Sequence, residues 1–172
     1  MADTPTTQDS PFWRFSLGFY RQPGVSDACI DLQDQAGVDV NILLFLLWNA
    51  TLRCTLSNGA VAELEAKIGP LRDATVIPLR TLRRALRTPP PVVEPGAAEA
   101  FRTHVKRVEL EAERLQQQTM YELVARMTFG SASSPGEAAR QSIAAYQAMC
   151  PRTFPQAALD TILSAIDRHA AA

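Results

Sequence analysis

Metal and redox chemistry find little to work with in this sequence. It has three cysteines, Cys29, Cys54 and Cys150, and two histidines, His104 and His169. No Cys-x-x-Cys step occurs, so the odd cysteine count gives neither a disulfide framework nor a zinc knuckle. Glu-x-x-His steps are missing too, which removes the ligand spacing of di-iron bundles and zinc hydrolases. Gly-x-Ser-x-Gly is absent, and the eight glycines form neither a phosphate-cradling loop nor a dinucleotide fingerprint. These absences imply no cofactor and no metal, and they lean away from an enzyme that works through histidine or metal.

Charge of one sign is also lacking. Seventeen Lys and Arg stand against 18 Asp and Glu, for a net charge of -1. No global field therefore recruits nucleic acid, which is disfavoured as a partner. The longest apolar run, Ile42 to Trp48, is too short for a membrane span. Residues 1–9 are polar and carry no apolar core of a secretory signal, so the expected setting is the reducing cytoplasm.

Helical periodicity fills most of what remains. Residues 1–9 read as a disordered tail, and residues 10–172 as a single helical domain. Ser10-Pro11 opens a first helix, which Gln22-Pro23-Gly24 closes after Tyr20. A second helix runs from Val25 to a stop at Gly37, with Val25, Ala28, Cys29, Leu32 and Ala36 on its apolar face. Cys29 and Cys54 read as small buried hydrophobes in helical patterns. Asp39 can cap a third helix, Val40 to Leu52, which is apolar on every side and so belongs at the centre of a bundle.

Ser57-Asn58-Gly59 reads as a turn, and the helical pattern from Ala60 to Arg87 as broken at Gly69-Pro70 and bent by Pro78. Residues 88–96 form a proline-rich, stiff and extended connector. A long helix from about Ala97 to Met127, a flexible loop at 130–136 and helices near 137–149 and 155–169 complete the chain. No strand is expected. The fold class is all-α, an irregular bundle of about six or seven helices.

Four sets of polar residues are candidates for function. Asp27, Asp31 and Asp34 share one helix stripe; a magnesium-phosphate site would need a second aspartate cluster, so a solvated face is the favoured reading. Asn41 and Asn49 lie in the most apolar segment with Trp48 and, just beyond it, Arg53. Their amides need partners, either inside the protein or on a ligand. Arg80, Arg83, Arg84 and Arg87 form a local positive patch. Pairing with Glu109, Glu111 and Glu113 or with the second-helix aspartates would neutralise it. A simple hairpin, however, sets Arg84 opposite Glu99 and leaves Glu109 about one to two turns from Arg80. Unpaired arginines would dock a phosphate, a carboxylate or an acidic protein surface. Finally, the long helix has a polar middle and could pair with another protein or with a second copy.

One block carries a resemblance. Phe12-Trp13-x-Phe15-Ser16-Leu17, Pro23-Gly24-Val25, Ala28-Cys29-x-x-Leu32-Gln33-Asp34 and Asp39-Val40-Asn41-Ile42-Leu43-Leu44-Phe45-x-Leu47-Trp48 resemble a family of small proteobacterial proteins of unassigned function. The likeness is strongest over residues 11–50 and thinner from 78 to about 123. It implies a proteobacterial source and a cytoplasmic setting, and no activity, cofactor or catalytic residue. The functional expectation is a non-enzymatic interaction or regulatory protein, with a protein partner or homodimer. The alternative is a small-molecule binder or enzyme with an inter-helix pocket for an anionic ligand, lined by Asn41, Trp48 and Asn49 and gripped by Arg80 or Arg84.

Overall fold

The apolar run of the sequence lies inside a helix buried on every side. In the computed structural model, which describes residues 9–171, this helix is α3 (Val40–Thr51), and every side chain from Asn41 to Ala50 is buried. Its start is fixed by Asp39, whose Oδ1 accepts the backbone N–H groups of Asn41 (2.8 Å) and Ile42 (3.3 Å). Helix α1 (Pro11–Tyr20) begins under a Ser10 cap with proline at its first position, and α2 (Val25–Ala36) ends at Gly37, whose φ of 72° suits glycine. The apolar face expected for α2 is buried, and Asp27, Asp31 and Asp34 are exposed.

Eight α-helices occur among the described residues, more than the six or seven expected. The extra one arises near Pro70. Helix α4 (Asn58–Ala74) runs straight through that proline, and α5 (Val76–Ala85) starts only after a break at Thr75. Pro70 and Ala66 are both exposed, so water can serve the carbonyl that Pro70 leaves without a donor. At the break Thr75 has φ -127° and ψ -69°, and its hydroxyl donates to Leu71 O (2.6 Å). Ser57 likewise starts α4 as its cap rather than forming a free turn.

Helix α6 (Pro95–Leu123) is capped by Glu94, whose carboxylate accepts from Gly96 N (3.0 Å) and Ala97 N (2.7 Å). The connector before it is not extended throughout: Val93 N donates to Pro90 O (2.9 Å) and closes a turn. A 3-10 turn (Val124–Arg126) follows α6, then α7 (Pro135–Gln147) and α8 (Gln156–Ala171). One short antiparallel pairing corrects the expectation of no strand: β1 (Cys54–Thr55) against β2 (Gly130–Ser131), with Cys54 opposite Ser131. Its partners are distant in sequence and each strand is two residues long, so no local pattern announces it. Cys54 is accordingly half-buried in β1, not a buried helical residue.

Helix α3 packs against α7, with α1, α6 and α8 around it, while α2 lies on α8. Trp48 stacks on Phe12 (centroids 5.4 Å apart) and meets Tyr121 (5.7 Å), joining α1, α3 and α6. Helix α5 is different. It packs on α6 and α4 and buries only Val76. The expected disordered tail falls outside the described residues except for Asp9, which pairs with Arg114 (2.7 Å). Among the described residues no helix is long and apolar enough to cross a membrane. Truncation of Trp48 to alanine is expected to cost roughly 3–5 kcal/mol, since the site cannot collapse on three helices at once. Urea denaturation checks this, and a variant as stable as the parent would contradict the packing described.

Candidate functional site

Asp39 joins four helices. Besides capping α3, its carboxylate accepts from Gln116 Nε2 of α6 (2.7 Å) and from Arg72 Nη1 of α4 (3.4 Å). Its own backbone N–H donates to the Tyr146 hydroxyl of α7 (2.9 Å). From Gln116 the network continues inward. Asn41 Nδ2 donates to Gln116 Oε1 (3.0 Å), and Gln117 Nε2 donates to Asn41 Oδ1 (2.8 Å). Burying this much polarity is tolerable because nearly every atom is matched. Among the described residues three buried side-chain atoms are not: Ser16 Oγ, Gln117 Oε1 and Glu65 Oε2. An orphaned atom of this kind costs about 1–3 kcal/mol.

The arginines divide between two environments. Arg80 donates to Glu109 Oε1 (3.1 Å) and Glu113 Oε1 (2.9 Å), and Arg83 grips both oxygens of Glu109. Arg84 points away and pairs with Asp34 Oδ1 (2.7 Å), both groups about half exposed. Arg87 is exposed, with no ion pair among the described residues. The simple hairpin estimate is thus corrected, for the acids of α6 do neutralise Arg80 and Arg83. Burial works against the charge of Glu109, yet the hydrogen bonds and positive charge of Arg83 and Arg80 outweigh it and hold the carboxyl below its ordinary value. Burial pushes the Glu113 carboxyl up instead, against the pull of Arg80.

A cleft of about 500 Å³ opens beside this junction. Its walls are the α2–α3 corner (Asp34, Asp39), one side of α4 and α5 (Glu65, Arg72, Arg80, Arg84) and the end of α7 (Tyr146, Cys150). Arg72 binds Glu65 Oε1 (2.7 Å) as well as Asp39, and these carboxylates keep it charged despite burial. Burial raises the Tyr146 hydroxyl, and the Asp39 charge adds to it, so the phenol stays protonated. Its oxygen accepts from Asp39, which leaves its own proton to donate. Burial, with the charge of Glu65, also raises the Cys150 thiol. A protonated thiol is a poor nucleophile. The cleft therefore presents charged groups and hydrogen-bonding groups beside a protonated thiol.

Of the residues singled out in the sequence, the structure brings Arg80 and Arg84 into this cleft, with Asp34. Arg83 turns to Glu109 and Arg87 stands outside. Asn41 faces the inner network, and Asn49 Nδ2 donates to Phe45 O (2.8 Å) within α3. Trp48 is packed among Phe12, Phe45 and Tyr121. None of these three lines the cleft. His104 is exposed, and His169 rests edge-on against Phe15 (5.4 Å). Sequence reasoning missed Glu65, Arg72, Gln116 and Tyr146. Asp39 was seen only as a cap. The polar Gln116-Gln117-Gln118 run did carry a signal, since two of the three are buried.

Glu109→Gln tests the pairing. Because the folded-state pKa of Glu109 lies below the ordinary 4.5, its stabilisation is complete above that value and is lost as pH falls through the depressed one. Glu113 contributes in the opposite sense, since its raised pKa favours the folded state at low pH and loses that advantage as pH rises. The variant should be less stable than the parent by roughly 2 kcal/mol at neutral pH. That gap should close on acidification below about pH 4.5, as denaturation across the pH range would show. A gap independent of pH would mean that the ion pairs do not hold α5.

Comparison with known proteins places the chain at family level. A family described as protein of unknown function, DUF2390, matches residues 11–120, from the start of α1 to the last turn of α6. That span contains α1 to α5 and the Arg80–Arg83–Glu109 pairing, together with Asp39, Glu65, Arg72 and Gln116, while Tyr146 and Cys150 lie beyond it. No curated protein and no solved structure matches. Most of the chain being covered, it belongs to the DUF2390 family of proteins of unknown function.

Proposed function

We propose that this protein is a binding protein whose cleft between the α2–α3 corner, α4–α5 and α7 takes a small ligand bearing an anionic group. The observation that carries the reading is that Arg80 and Arg84 open into the same cleft as the protonated Tyr146 hydroxyl. A guanidinium has five N–H donors. Arg80 spends only its Nε and Nη2 groups on Glu109 and Glu113, and Arg84 only its Nη2 on Asp34. Donors therefore remain for a carboxylate or phosphate, which arginine recognises bidentately. The exposed Arg84–Asp34 pair is the part that can exchange, because such pairs contribute only about 0–1 kcal/mol to stability. The reading sets the protein in the reducing cytoplasm, in keeping with three free cysteines.

Arg84→Glu is the test. The variant should melt within a few degrees of the parent, a shift matching less than about 1 kcal/mol. It should also lose binding of inorganic phosphate and of small carboxylates, followed by calorimetry. Equal binding by parent and variant would remove Arg84 from the site.

A second reading, a protein partner or a second copy on α6, is favoured by one observation. Phe101 and Leu115 are 51% and 52% exposed, and with Val108 they recur at heptad spacing. Phe101→Glu combined with Leu115→Glu should convert an assembled species to monomer in sedimentation equilibrium. A parent that is monomeric at high concentration and captures no partner would end this reading.

A further inference from the structure

Arg80 belongs to two settings at once. It lines the cleft, and its Nε and Nη2 groups are held by Glu109 (3.1 Å) and Glu113 (2.9 Å) of α6. In that cluster the charges balance, with the guanidinium groups of Arg80 and Arg83 against the carboxylates of Glu109 and Glu113. An anion taken up by Arg80 adds a negative charge that upsets the balance. The two carboxylates differ in how readily they can restore it. Glu109 receives both arginines, and its carboxyl is held below the ordinary value. Glu113 has one ion pair among the described residues, with Arg80, and burial pushes its carboxyl up. Every element packed around Glu113 bears on its charge. Arg80 and Arg83 face it from α5, Glu109 from its own helix, Asp39 from the start of α3 and the Tyr20 hydroxyl from the end of α1. Arg72 of α4 is joined to the group through Asp39.

We infer that the anion site is proton-coupled: an anion bound by Arg80 and Arg84 is accompanied by a proton from solvent, which settles on Glu113. The coupling rests on the anion-binding reading proposed above and adds a regulation to it. The proton removes the carboxylate charge that competes for Arg80, and the charge of the ligand favours the protonated acid. Each therefore raises the affinity of the other by the same factor. Binding strengthens as pH falls and weakens as pH rises. Asp34, the partner of Arg84, does not serve in this way, because the hydrogen bond from Arg84 holds its carboxyl below the ordinary value and keeps it ionised.

Isothermal titration calorimetry of the whole chain with sulfate and with formate tests the coupling, since both ions stay ionised from about pH 5 to about pH 7.5. Affinity should rise roughly fivefold from the upper limit to the lower. Glu113→Gln, which carries no charge at either limit, should abolish that rise. On the unaltered protein the same factor is read from the other side. The carbon-13 titration of the Glu113 side-chain carboxyl should move its midpoint upward by roughly 0.7 of a pH unit on saturation with sulfate. That measurement decides the matter even where Glu113→Gln fails to fold. An affinity that is flat with pH, a rise that persists in Glu113→Gln, or a Glu113 midpoint unmoved by sulfate would overturn the coupling and leave the anion site standing. If neither ion binds at any pH, the anion-binding reading fails and the coupling with it.

Discussion

The rest of this structure depends on the burial of one carboxylate. Asp39 is 8% exposed, and a charge that deep survives only when its hydrogen-bonding capacity is filled. The partners that fill it come from α3 itself, from Gln116 of α6 and from Arg72 of α4, while its backbone N–H reaches Tyr146 of α7. One residue therefore fixes where the central helix begins and how three neighbours meet it. The cleft opens beside the point where these helices converge on Asp39. Two of the residues that engage Asp39, Arg72 and Tyr146, also line the cleft.

Helix α5 illustrates a second constraint. Only Val76 of α5 is buried, so apolar burial contributes little to holding it. Glu109, itself 5% exposed, serves as its anchor by receiving Arg80 and Arg83 together. Successive residues on a helix point about 100° apart, so fixing Arg83 inward turns Arg84 away from α6 and toward the cleft. The orientation of Arg84, which pairs with Asp34, is thus a consequence of the pairing of its neighbour. In the proposed reading, anchoring falls to Arg83 and recognition to the adjacent Arg84.

Much of the fold was legible in local signals. The Ser10, Asp39 and Gly37 boundaries and the all-round apolarity of α3 each act through nearest neighbours in the chain, and they appear where expected. Long-range features were not legible. Pro70 failed to end its helix because solvent reaches the carbonyl it orphans, and exposure is not written in the local sequence. The register of α5 on α6 was misjudged by about one to two turns because residues 86–94 do not reverse the chain at one point. A turn at Pro90–Val93 and a helix start at Pro95 instead carry α6 past the end of α5 before it returns. The arginine cluster was correctly seen as unusual, but its division into paired and available members depends on that register. Glu65 and Tyr146, which are 81 positions apart by their numbers, line one cleft because α4 and α7 pack against each other.

The central claim is that neighbouring arginines have separate tasks. Its most direct test is a titration of the nitrogen-15-labelled protein with inorganic phosphate, observing the arginine Nε–H resonances. The account predicts that the Arg84 resonance moves in a saturable manner, that Arg80 follows with a smaller displacement, and that Arg83 stays fixed on Glu109. Equal displacement of Arg83, Arg84 and Arg87, or no saturable displacement of any, would contradict it.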